Sequence, residues 1–533
     1  MNDLKSLDRV LTNRGYSIRK CCLTEEEILS LRKELTVVPV TNAKFAAAAK
    51  ENSFTVFYES PQRVYLPRQW GLQKFGVPQA NIVPEGENLP ESAEFTGKPY
   101  EYQTNIINKF VQAGGNGLIC VPCGKGKTFM ALAIAARLKK RFCIVVDKEF
   151  LLNQWKGEIE SFFPGVRVGI FQRDKVQTHT EIIQPKEPSL AELKQKAKEA
   201  NLKVSGTKQQ LIERLQAAGI KYMEEPEVVS YDCTICMIQT IVQKEIPANS
   251  FDGYGFTIFD ECHHLGAHHF SRALMKIQTK WMLGLSATPQ REDGLTKVFE
   301  WFLGPPVYWE KTREPDATVS VLVKSFRYED PDYSEAPVDW RGDVIMPHLL
   351  GKVIDYKPRT KVIADIISSW IQESAERRVL VLSERKSHLE EFETLLTPLG
   401  VTIGYYIGGM KESERDESAA NARIILATYA MASEAMNIKT LNAVVLASPR
   451  KRVEQSTGRI LRVRPEHRNL EHRILDFIDS HDLYMGQWRK RLAYYRQCHY
   501  NIFQLDDEGN RTKMSGPAVA KPIDLTVCQL TDD

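Results

Sequence analysis

A strand–loop–helix segment near residue 120 constrains the fold of this chain more than any other feature. Gly117 to Val121 is a short apolar run, Thr128 to Lys139 has a helical pattern, and the loop between them reads VPCGKGKT. Backbone N–H groups in a tight loop before a helix N-terminus bind anions, and glycines let that backbone approach phosphates closely. In this interpretation Lys127 reaches the β- and γ-phosphates of a nucleotide, and the Thr128 hydroxyl binds Mg²⁺. The predicted nucleotide-binding residues of the loop are Pro122, Cys123, Gly124, Lys125, Gly126, Lys127 and Thr128.

Two carboxylates, Asp260 and Glu261, follow a second apolar run and precede Cys262 and His263. In open α/β sheets, ligands bind at the carboxyl ends of the strands. Asp260 suits Mg²⁺, which prefers oxygen ligands, and Glu261 suits the orientation of an attacking water. The sequence therefore predicts a phosphate-hydrolysing site in which Lys127, Asp260 and Glu261 are catalytic and Thr128 and Asp260 hold the metal.

The composition favours a soluble protein of several domains. The 533 residues exceed the size at which one hydrophobic core stops growing, and 43% hydrophobic with 26% charged residues is ordinary for a globular protein. No apolar run approaches the roughly 18 residues of a membrane span, and the first residues lack the apolar core of a signal peptide. We therefore expect an intracellular protein with no membrane partner. A net charge of +3 does not by itself identify a nucleic-acid binder.

The pattern of the chain changes at several points. Residues 1–95 mix short helical and strand-like pieces and predict a small α+β module. Within it, residues 53–76 interleave aromatic and cationic side chains, which suits either base stacking or the packing of a core. Short apolar strands alternate with helices over 96–310 and again over 311–480, which is typical of parallel sheets covered on both faces. Residues 481–533 predict a tail that begins with a basic, aromatic helix and ends in an irregular polar segment.

Residues 188–220 interrupt the first alternating region with two short amphipathic helices. This segment resembles a SAP motif, a small helical module that binds DNA, and the match includes Leu193, Gly206, Lys208, Leu211 and Arg214. The alternative is a solvated helical hairpin, because charged helix faces usually only face water.

Five further segments gain weight from their order along the chain. The segment KPYEYQ ends at Gln103, Gln154-Trp155 follows the strand FCIVVD, and GLSATP contains Ser286 and Thr288. Ile424 to Thr428 is a strand that enters a loop containing Glu434 and Asn437. The segment QSTGRILR carries Arg459 and Arg462, which share one helix face because residues three apart lie on the same side.

Taken in order, these segments resemble the motifs of superfamily 2 DExH helicases. The group most similar includes XPB, the phage UvsW helicase and helicases of large DNA viruses of the poxvirus transcript-release type. The resemblance covers residues 96 to 480 apart from the insert, and Asp260 to His263 stand at the place of a DEAH-type box. It implies an α/β fold with two tandem RecA-like domains, the small N-terminal module and the SAP-like insert. ATP is then expected in the cleft between the domains, with nucleic acid crossing both.

The resemblance also implies roles for individual residues. Gln103 is expected to recognise the adenine base, and Arg459 and Arg462 are expected to stabilise the charge of the γ-phosphate. The nucleic-acid contacts implied are Gln154, Trp155, Ser286, Thr288, Thr428 and, from the SAP-like insert, Lys208. The family more often has aspartate near the place of Asn437, which leaves the role of that residue open.

The expected function is an ATP-dependent DNA helicase or translocase that uses ATP and Mg²⁺, with 3′-to-5′ polarity. Single-stranded or duplex DNA is the expected partner, in viral transcription, replication or repair, with the transcription machinery as a protein partner. A viral source implies the host cytoplasm or the virion. The alternatives are a helicase that acts on RNA or DNA–RNA hybrids and a non-catalytic DNA-binding scaffold.

Overall fold

The fold was obtained as a computed structural model that describes residues 7–38, 53–122, 124–178, 180–183, 188–222, 227–247, 249–261, 267–287, 296–310, 316–434, 436, 438, 440–458 and 467–514. The chain divides into two compact units. The first consists of residues 1–121 and 126–309, and the second of residues 122–125 and 310–533. No helix among the described residues is both long and apolar enough to cross a membrane.

A small α+β module opens the first unit, as predicted. Its main sheet has the strand order β5-β6-β2-β1-β7, and it packs around the buried side chains of Tyr16 and Trp70. The buried Arg68 anchors the module, because its guanidinium donates to the backbone carbonyls of Thr279 at 2.8 Å and Lys280 at 3.1 Å. The elements are β1 Arg9–Thr12, β2 Gly15–Arg19, α1 Glu25–Glu34, β3 Thr36–Val37, β4 Phe54–Thr55, β5 Tyr58–Glu59, β6 Arg63–Leu66, α2 Arg68–Phe75 and β7 Ala80–Asn81.

An eight-stranded sheet forms the body of the first unit, with the order β11-β10-β14-β9-β15-β16-β8-β17. All neighbours pair in parallel except β10 and β11. The central strands are fully buried, because helices cover both faces. The elements are α3 Glu101–Gln112, β8 Asn116–Cys120, α4 Lys127–Leu138, β9 Phe142–Val146, α5 Glu149–Phe162, β10 Val168–Gln172, β11 Lys175–Val176, β14 Cys233–Met237, α8 Ile238–Gln243, β15 Phe256–Phe259, α9 Ala267–Lys276, β16 Trp281–Ser286, α10 Thr296–Leu303 and β17 Pro306–Trp309.

The predicted two-helix insert is present as α6 Leu190–Glu199 and α7 Lys208–Ala217. Each helix begins with a capping box, since Ser189 and Thr207 accept from the third backbone N–H of their helix. Leu193, Ala197, Leu211 and Leu215 form a separate small core. The antiparallel strands β12 Thr180–Ile183 and β13 Glu227–Ser230 connect the hairpin to the sheet. The insert therefore has its own core, and its identity as a SAP module stays a prediction.

A second eight-stranded sheet forms the second unit, in the order β20-β21-β19-β22-β23-β18-β24-β25. Only β25 pairs antiparallel with its neighbour. The helices and strands are β18 Val319–Phe326, α11 Pro331–Ser334, α12 Met346–Asp355, α13 Lys357–Glu373, β19 Val379–Ser383, α14 Lys386–Leu396, β20 Ile403–Tyr406, α15 Glu412–Asn421, β21 Ile424–Thr428, α16 Tyr429–Glu434, β22 Ala443–Leu446, α17 Glu454–Thr457, β23 His472–Asp479, α18 Asp482–Gln497, β24 Asn501–Leu505 and β25 Arg511–Lys513. Single 3₁₀ turns occur at Lys20–Cys22 and Thr397–Leu399.

The tail after residue 480 differs from its prediction. The basic, aromatic helix is present as α18, but residues 501–513 after it are not irregular, because β24 pairs in parallel with β18 and β25 adds a further strand. The end of the tail, residues 515–533, lies outside the described residues. Trp488 and Tyr495 of α18 are buried in the core of the second unit. The tail therefore belongs to the second sheet. The α/β class and the two domains with parallel sheets are confirmed.

Candidate nucleotide-hydrolysis site

The register of the first sheet brings the predicted motifs to one edge. Cys120, the last residue of β8, is the register partner of Ser286, the last residue of β16. The loop begins there, with the Val121 N–H donating to the Ser286 carbonyl at 3.2 Å. Strand β15 lies on the other side of β16 and ends at Phe259, directly before Asp260. The phosphate-loop motif and the carboxylate motif are therefore separated by a single strand.

Three predicted catalytic side chains lie together at this edge. Lys127 Nζ is 3.2 Å from Glu261 Oε1, and both side chains are largely enclosed, with exposed fractions of 11% and 19%. The Glu261 backbone N–H donates to Asp260 Oδ1 at 2.9 Å. One cation and two carboxylates thus share a small volume at the first turn of α4, where backbone N–H groups also favour anions.

Glu261 adopts the left-handed backbone conformation, with φ of 41°. A residue other than glycine rarely adopts this conformation, and it costs roughly 1–2 kcal/mol. The hydrogen bond to Asp260 and the ion pair with Lys127 offset that cost. The turn directs Asp260 toward Trp155 and Glu261 toward Lys127, so the two carboxylates can have different roles.

Trp155 holds the carboxylate of Asp260 in position. The indole Nε1–H donates to Asp260 Oδ2 at 2.8 Å, and the Trp155 side chain is only 1% exposed. The side chain is therefore directed into the core, and the predicted contact of Trp155 with nucleic acid stays a prediction. Trp155 is a positioning residue for the carboxylate. Residues 155 and 260 are far apart in sequence, and no local signal could have paired them.

The buried environment changes the proton affinity of Asp260. Burial raises the pKa of its carboxyl group to about 6, and the neighbouring charge of Glu261 adds to this effect. The hydrogen bond from Trp155 and the charge of Lys127 act in the opposite direction and lower the pKa. A divalent cation would favour the ionised form further, so this environment suits a carboxylate whose partner is a positive ion.

Gly126 and Gln103 form a tight contact at the base of the loop. Gly126 has φ of 79°, and a Cβ atom there would lie 2.6 Å from Gln103 Nε2. Gln103 is 4% exposed, and its Oε1 accepts from the Tyr100 backbone N–H at 3.0 Å. The left-handed backbone favours glycine at this position, and a Cβ atom would also require the Gln103 amide to shift. The structure thus brings the predicted adenine-side glutamine against the loop.

The other predicted residues occupy varied positions. Ser286 is fully buried at the strand end, and its predicted contact with nucleic acid stays a prediction. Pro122 is buried, whereas Thr128, Gln154, Thr428 and Lys208 are half-buried and Gly124 is exposed. Lys125 Nζ lies 3.5 Å from Glu310 Oε1. Cys123, Thr288, Asn437, Arg459 and Arg462 lie outside the described residues.

The second unit contains two buried ion pairs that the sequence did not indicate. Arg359 and Asp479 are both 0% exposed and form a bidentate pair, with Nε–Oδ1 at 2.6 Å and Nη2–Oδ2 at 2.9 Å. Arg491 forms a similar pair with Asp476, with two contacts of 2.8 Å. Both aspartates lie in β23, and both arginines come from helices that flank it. These pairs fix helices to the sheet, which is a structural role.

Comparisons with known proteins agree with this geometry. Residues 96–291 match the family described as "Type III restriction enzyme, res subunit", and residues 359–464 match the "Helicase conserved C-terminal domain". A protein of Acanthamoeba polyphaga mimivirus, provisionally named an ATP-dependent RNA helicase, is 30% identical over 506 residues, which cover 92% of this chain and 86% of the viral protein. A protein of African swine fever virus with the same provisional name is 23% identical over 429 residues, covering 76% and 73%. The helicase domain of Pyrococcus furiosus Hef has a TM-score of 0.42 at 15% identity, covering 74% of this chain and 98% of that one.

The match to the mimivirus protein spans nearly the whole chain, including both alternating regions. The two family matches fall in the same order as the two parallel sheets. Lys127, Asp260 and Glu261 stand together in the first of them. The chain therefore belongs to the superfamily 2 helicases and is an ATP-dependent helicase.

Proposed function

We propose that this helicase acts on DNA, coupling ATP hydrolysis to the unwinding or remodelling of duplexes. The observation that carries the hydrolytic part is the ion pair between Lys127 and Glu261 beside the buried carboxylate of Asp260. A structural ion pair would not need a second, unneutralised carboxylate next to it. A site that receives a polyphosphate and a divalent cation does need that combination of charges.

The residues present fit ATP and Mg²⁺. Gly126 has the left-handed backbone conformation, as expected of a tight loop that encloses phosphates, and Asp260 offers a carboxylate within a buried polar cluster. Thr128 and Asp260 would hold the metal, which supplies charge neutralisation at the phosphates when bound. Gln103 would contact the adenine, and Pro122 to Thr128 would enclose the phosphates.

Lys127 changes partners in the proposed reaction. In the structure its ammonium group is held by Glu261, and nucleotide phosphates offer it a stronger set of anionic oxygens. Glu261 can then accept a hydrogen bond from the attacking water and orient it toward the γ-phosphorus. Trp155 keeps Asp260 in place throughout this exchange. The family resemblance assigns stabilisation of the γ-phosphate charge to Arg459 and Arg462.

The helical insert supports DNA as the substrate. Helices α6 and α7 pack on their own small core and leave lysines at 194, 198 and 203 exposed. Arg214 donates to the carbonyls of Lys203 and Ser205 at 2.9 and 2.5 Å and so fixes the turn between the helices. Lys208 is the first residue of α7, where the helix N-terminus also attracts phosphate. This is the arrangement that a SAP module would use.

The biological setting is proposed from the family. The viral relatives favour a viral protein that works in the infected cytoplasm or the virion, in transcription, replication or repair. Polarity from 3′ to 5′ and an association with transcription machinery come from the same resemblance.

An RNA substrate is the second candidate. The names of the mimivirus and African swine fever virus relatives refer to RNA, and this chain aligns with the first of them over most of its length. RNA or a DNA–RNA hybrid would use the same hydrolytic site, so the site does not distinguish the two.

The test is steady-state ATPase activity without nucleic acid and with single-stranded DNA, duplex DNA or RNA, in the wild type and in Lys127→Ala. We expect stimulation by DNA that disappears in the variant. Deletion of residues 189–218 is the second variant, and it should weaken DNA binding while leaving basal ATPase activity intact. Preferential stimulation by RNA would overturn the proposed substrate. Equal DNA affinity with and without the insert would remove the role of the SAP-like segment.

A further inference from the structure

A tryptophan at the tip of a short hairpin in the second unit lies outside the core. Trp340 is 85% exposed, far more than a side chain of its size normally is in a folded protein. The guanidinium carbon of Arg341 lies 4.4 Å from the centre of the Trp340 indole ring. Arg341 therefore covers one face of the ring, and the other face is open. Val338 and Val344, at the base of the hairpin, are also more than one-third exposed.

The hairpin formed by residues 337–345, here called the Trp340 hairpin, is internally ordered. Val338 and Val344 form an antiparallel bridge, and the Asp339 N–H donates to the Asp343 carbonyl at 2.8 Å. The Asp339 carboxylate accepts from the backbone N–H groups of Arg341 and Asp343, both at 2.9 Å. The Ile345 N–H also donates to the Pro337 carbonyl at 2.8 Å, and the Gly342 N–H to the Asp339 carbonyl at 3.0 Å. The indole is therefore presented on a turn held by five internal hydrogen bonds, so little conformational entropy is lost when it binds a ligand.

The Trp340 hairpin stands at the carboxyl edge of the second sheet. It follows β18 in the chain and leads directly into α12. The first turn of α12 lies beside Arg385, because the Arg385 guanidinium is 3.4 Å from the Pro347 carbonyl. Arg385 comes two residues after Ser383, the end of β19, and Ser383 is the register partner of Thr428. The hairpin thus rises from the same sheet edge as the residue predicted to contact nucleic acid in this unit. Ligands of parallel sheets bind at that edge.

The charge of the hairpin indicates which part of a nucleic acid it fits. It carries two aspartates and one arginine, so it does not attract phosphates. A flat, exposed aromatic face binds bases by stacking, which requires no cation and accepts any base. The ligand chemistry is therefore a nucleobase rather than the sugar–phosphate backbone.

We propose that the Trp340 indole is a base-stacking site on the nucleic-acid path of this helicase. The site stacks on an unpaired base of the bound strand and holds it after the duplex has opened. This inference rests on the proposed action on nucleic acid and adds a binding residue that lies in none of the motifs of the family.

The experiment uses the full chain and a single-stranded oligonucleotide, of DNA and separately of RNA, in which 2-aminopurine is placed at successive positions. The fluorescence of this base falls when it stacks on an aromatic ring. We expect one or two positions to be quenched in the wild type, quenching to be lost in Trp340→Ala and retained in Trp340→Phe. Affinity should fall by about 5- to 140-fold in the alanine variant, from the usual energy of one base stack.

The dependence of affinity on salt gives a second readout. Because the indole neutralises no phosphate, Trp340→Ala should lower the affinity at every salt concentration and leave the slope of log affinity against log salt unchanged. Val77→Ala is the matched control, since Val77 is 87% exposed and lies in the N-terminal module. That variant should behave as the wild type.

The outcomes separate the two proposals. If wild-type ATPase activity responds to nucleic acid and Trp340→Ala retains both affinity and quenching, the stacking site is refuted and the exposed indole fits a protein partner instead. If the wild type neither binds the oligonucleotides nor responds to them, the proposed function fails together with the site. A changed salt slope in Trp340→Ala would also refute stacking as the mode of contact.

Discussion

Replacement of Trp155 by phenylalanine removes one hydrogen bond and keeps most of the aromatic packing. The lost bond runs from the indole N–H to Asp260 Oδ2 at 2.8 Å, between side chains that are 1% and 6% exposed. Water cannot easily replace the donor at such a site. A hydrogen bond to a charged group contributes about 1.5–3 kcal/mol, so the free energy of unfolding of the first unit should fall by about that amount.

The same substitution should slow ATP hydrolysis. Loss of a residue that orients a metal-binding carboxylate typically lowers activity or metal affinity by about 10- to 100-fold. The indole hydrogen bond also favours the ionised carboxylate, so its loss should raise the pKa of Asp260 above the present value of about 6. The acid limb of the ATPase profile should then move to higher pH, because protonated Asp260 no longer binds a cation.

The assay combines urea unfolding, followed by circular dichroism, with steady-state ATPase activity between pH 5 and 9. Trp301→Phe is the matched control, because Trp301 packs against a core cluster of the same unit and, within the described part of the chain, donates no hydrogen bond. The reasoning would be refuted if Trp155→Phe and Trp301→Phe lost equal stability and if Trp155→Phe kept the wild-type turnover and pH profile.

Three further predictions concern other parts of the chain. Gly126→Ala should weaken ATP binding, measured by equilibrium titration with a fluorescent nucleotide, because a Cβ in this left-handed conformation strains the loop and displaces the Gln103 amide, which would lie 2.6 Å away. Gly76→Ala, with φ of 75° and open space around it, is the control, and normal binding by both variants would contradict the reasoning. Glu261→Gln should bind ATP but lose at least about 100-fold in turnover, measured in single-turnover assays, because the attacking water loses its orienting carboxylate. Wild-type turnover in this variant would contradict the role assigned to Glu261. Asp479→Asn should lower the free energy of unfolding of the second unit by about 3–5 kcal/mol, measured by urea unfolding, because the buried charge of Arg359 loses its partner. An unchanged urea midpoint would show that the ion pair is dispensable.

The local parts of the fold were predictable because their signals are local. The helix predicted from Thr128 to Lys139 is observed as Lys127–Leu138, and the buried strand after it begins at Phe142 as expected. Both depend on apolar periodicity and on a loop whose glycines are adjacent in sequence. The two helices of the insert were equally predictable, because their capping residues and apolar spacing lie within single turns.

The tail was not predictable in the same way. Strand β24 reads NIFQL, with little alternation of apolar and polar residues, and it forms only because the edge of β18 is available for pairing. Strand propensity is weak compared with the contribution of the neighbouring strand. Short polar segments of this kind take their structure from distant parts of the chain.

The sequence by itself determined the reaction chemistry and the alternation of strands and helices in this protein. Those properties depend on which residue types follow one another over a few positions. Only the tertiary structure decided that Trp155 serves Asp260, that Ser286 is buried and that Trp340 is left in solvent. Burial and pairing between distant residues depend on how helices pack on sheets, and a linear pattern does not specify which face of a helix or which tip of a turn meets water.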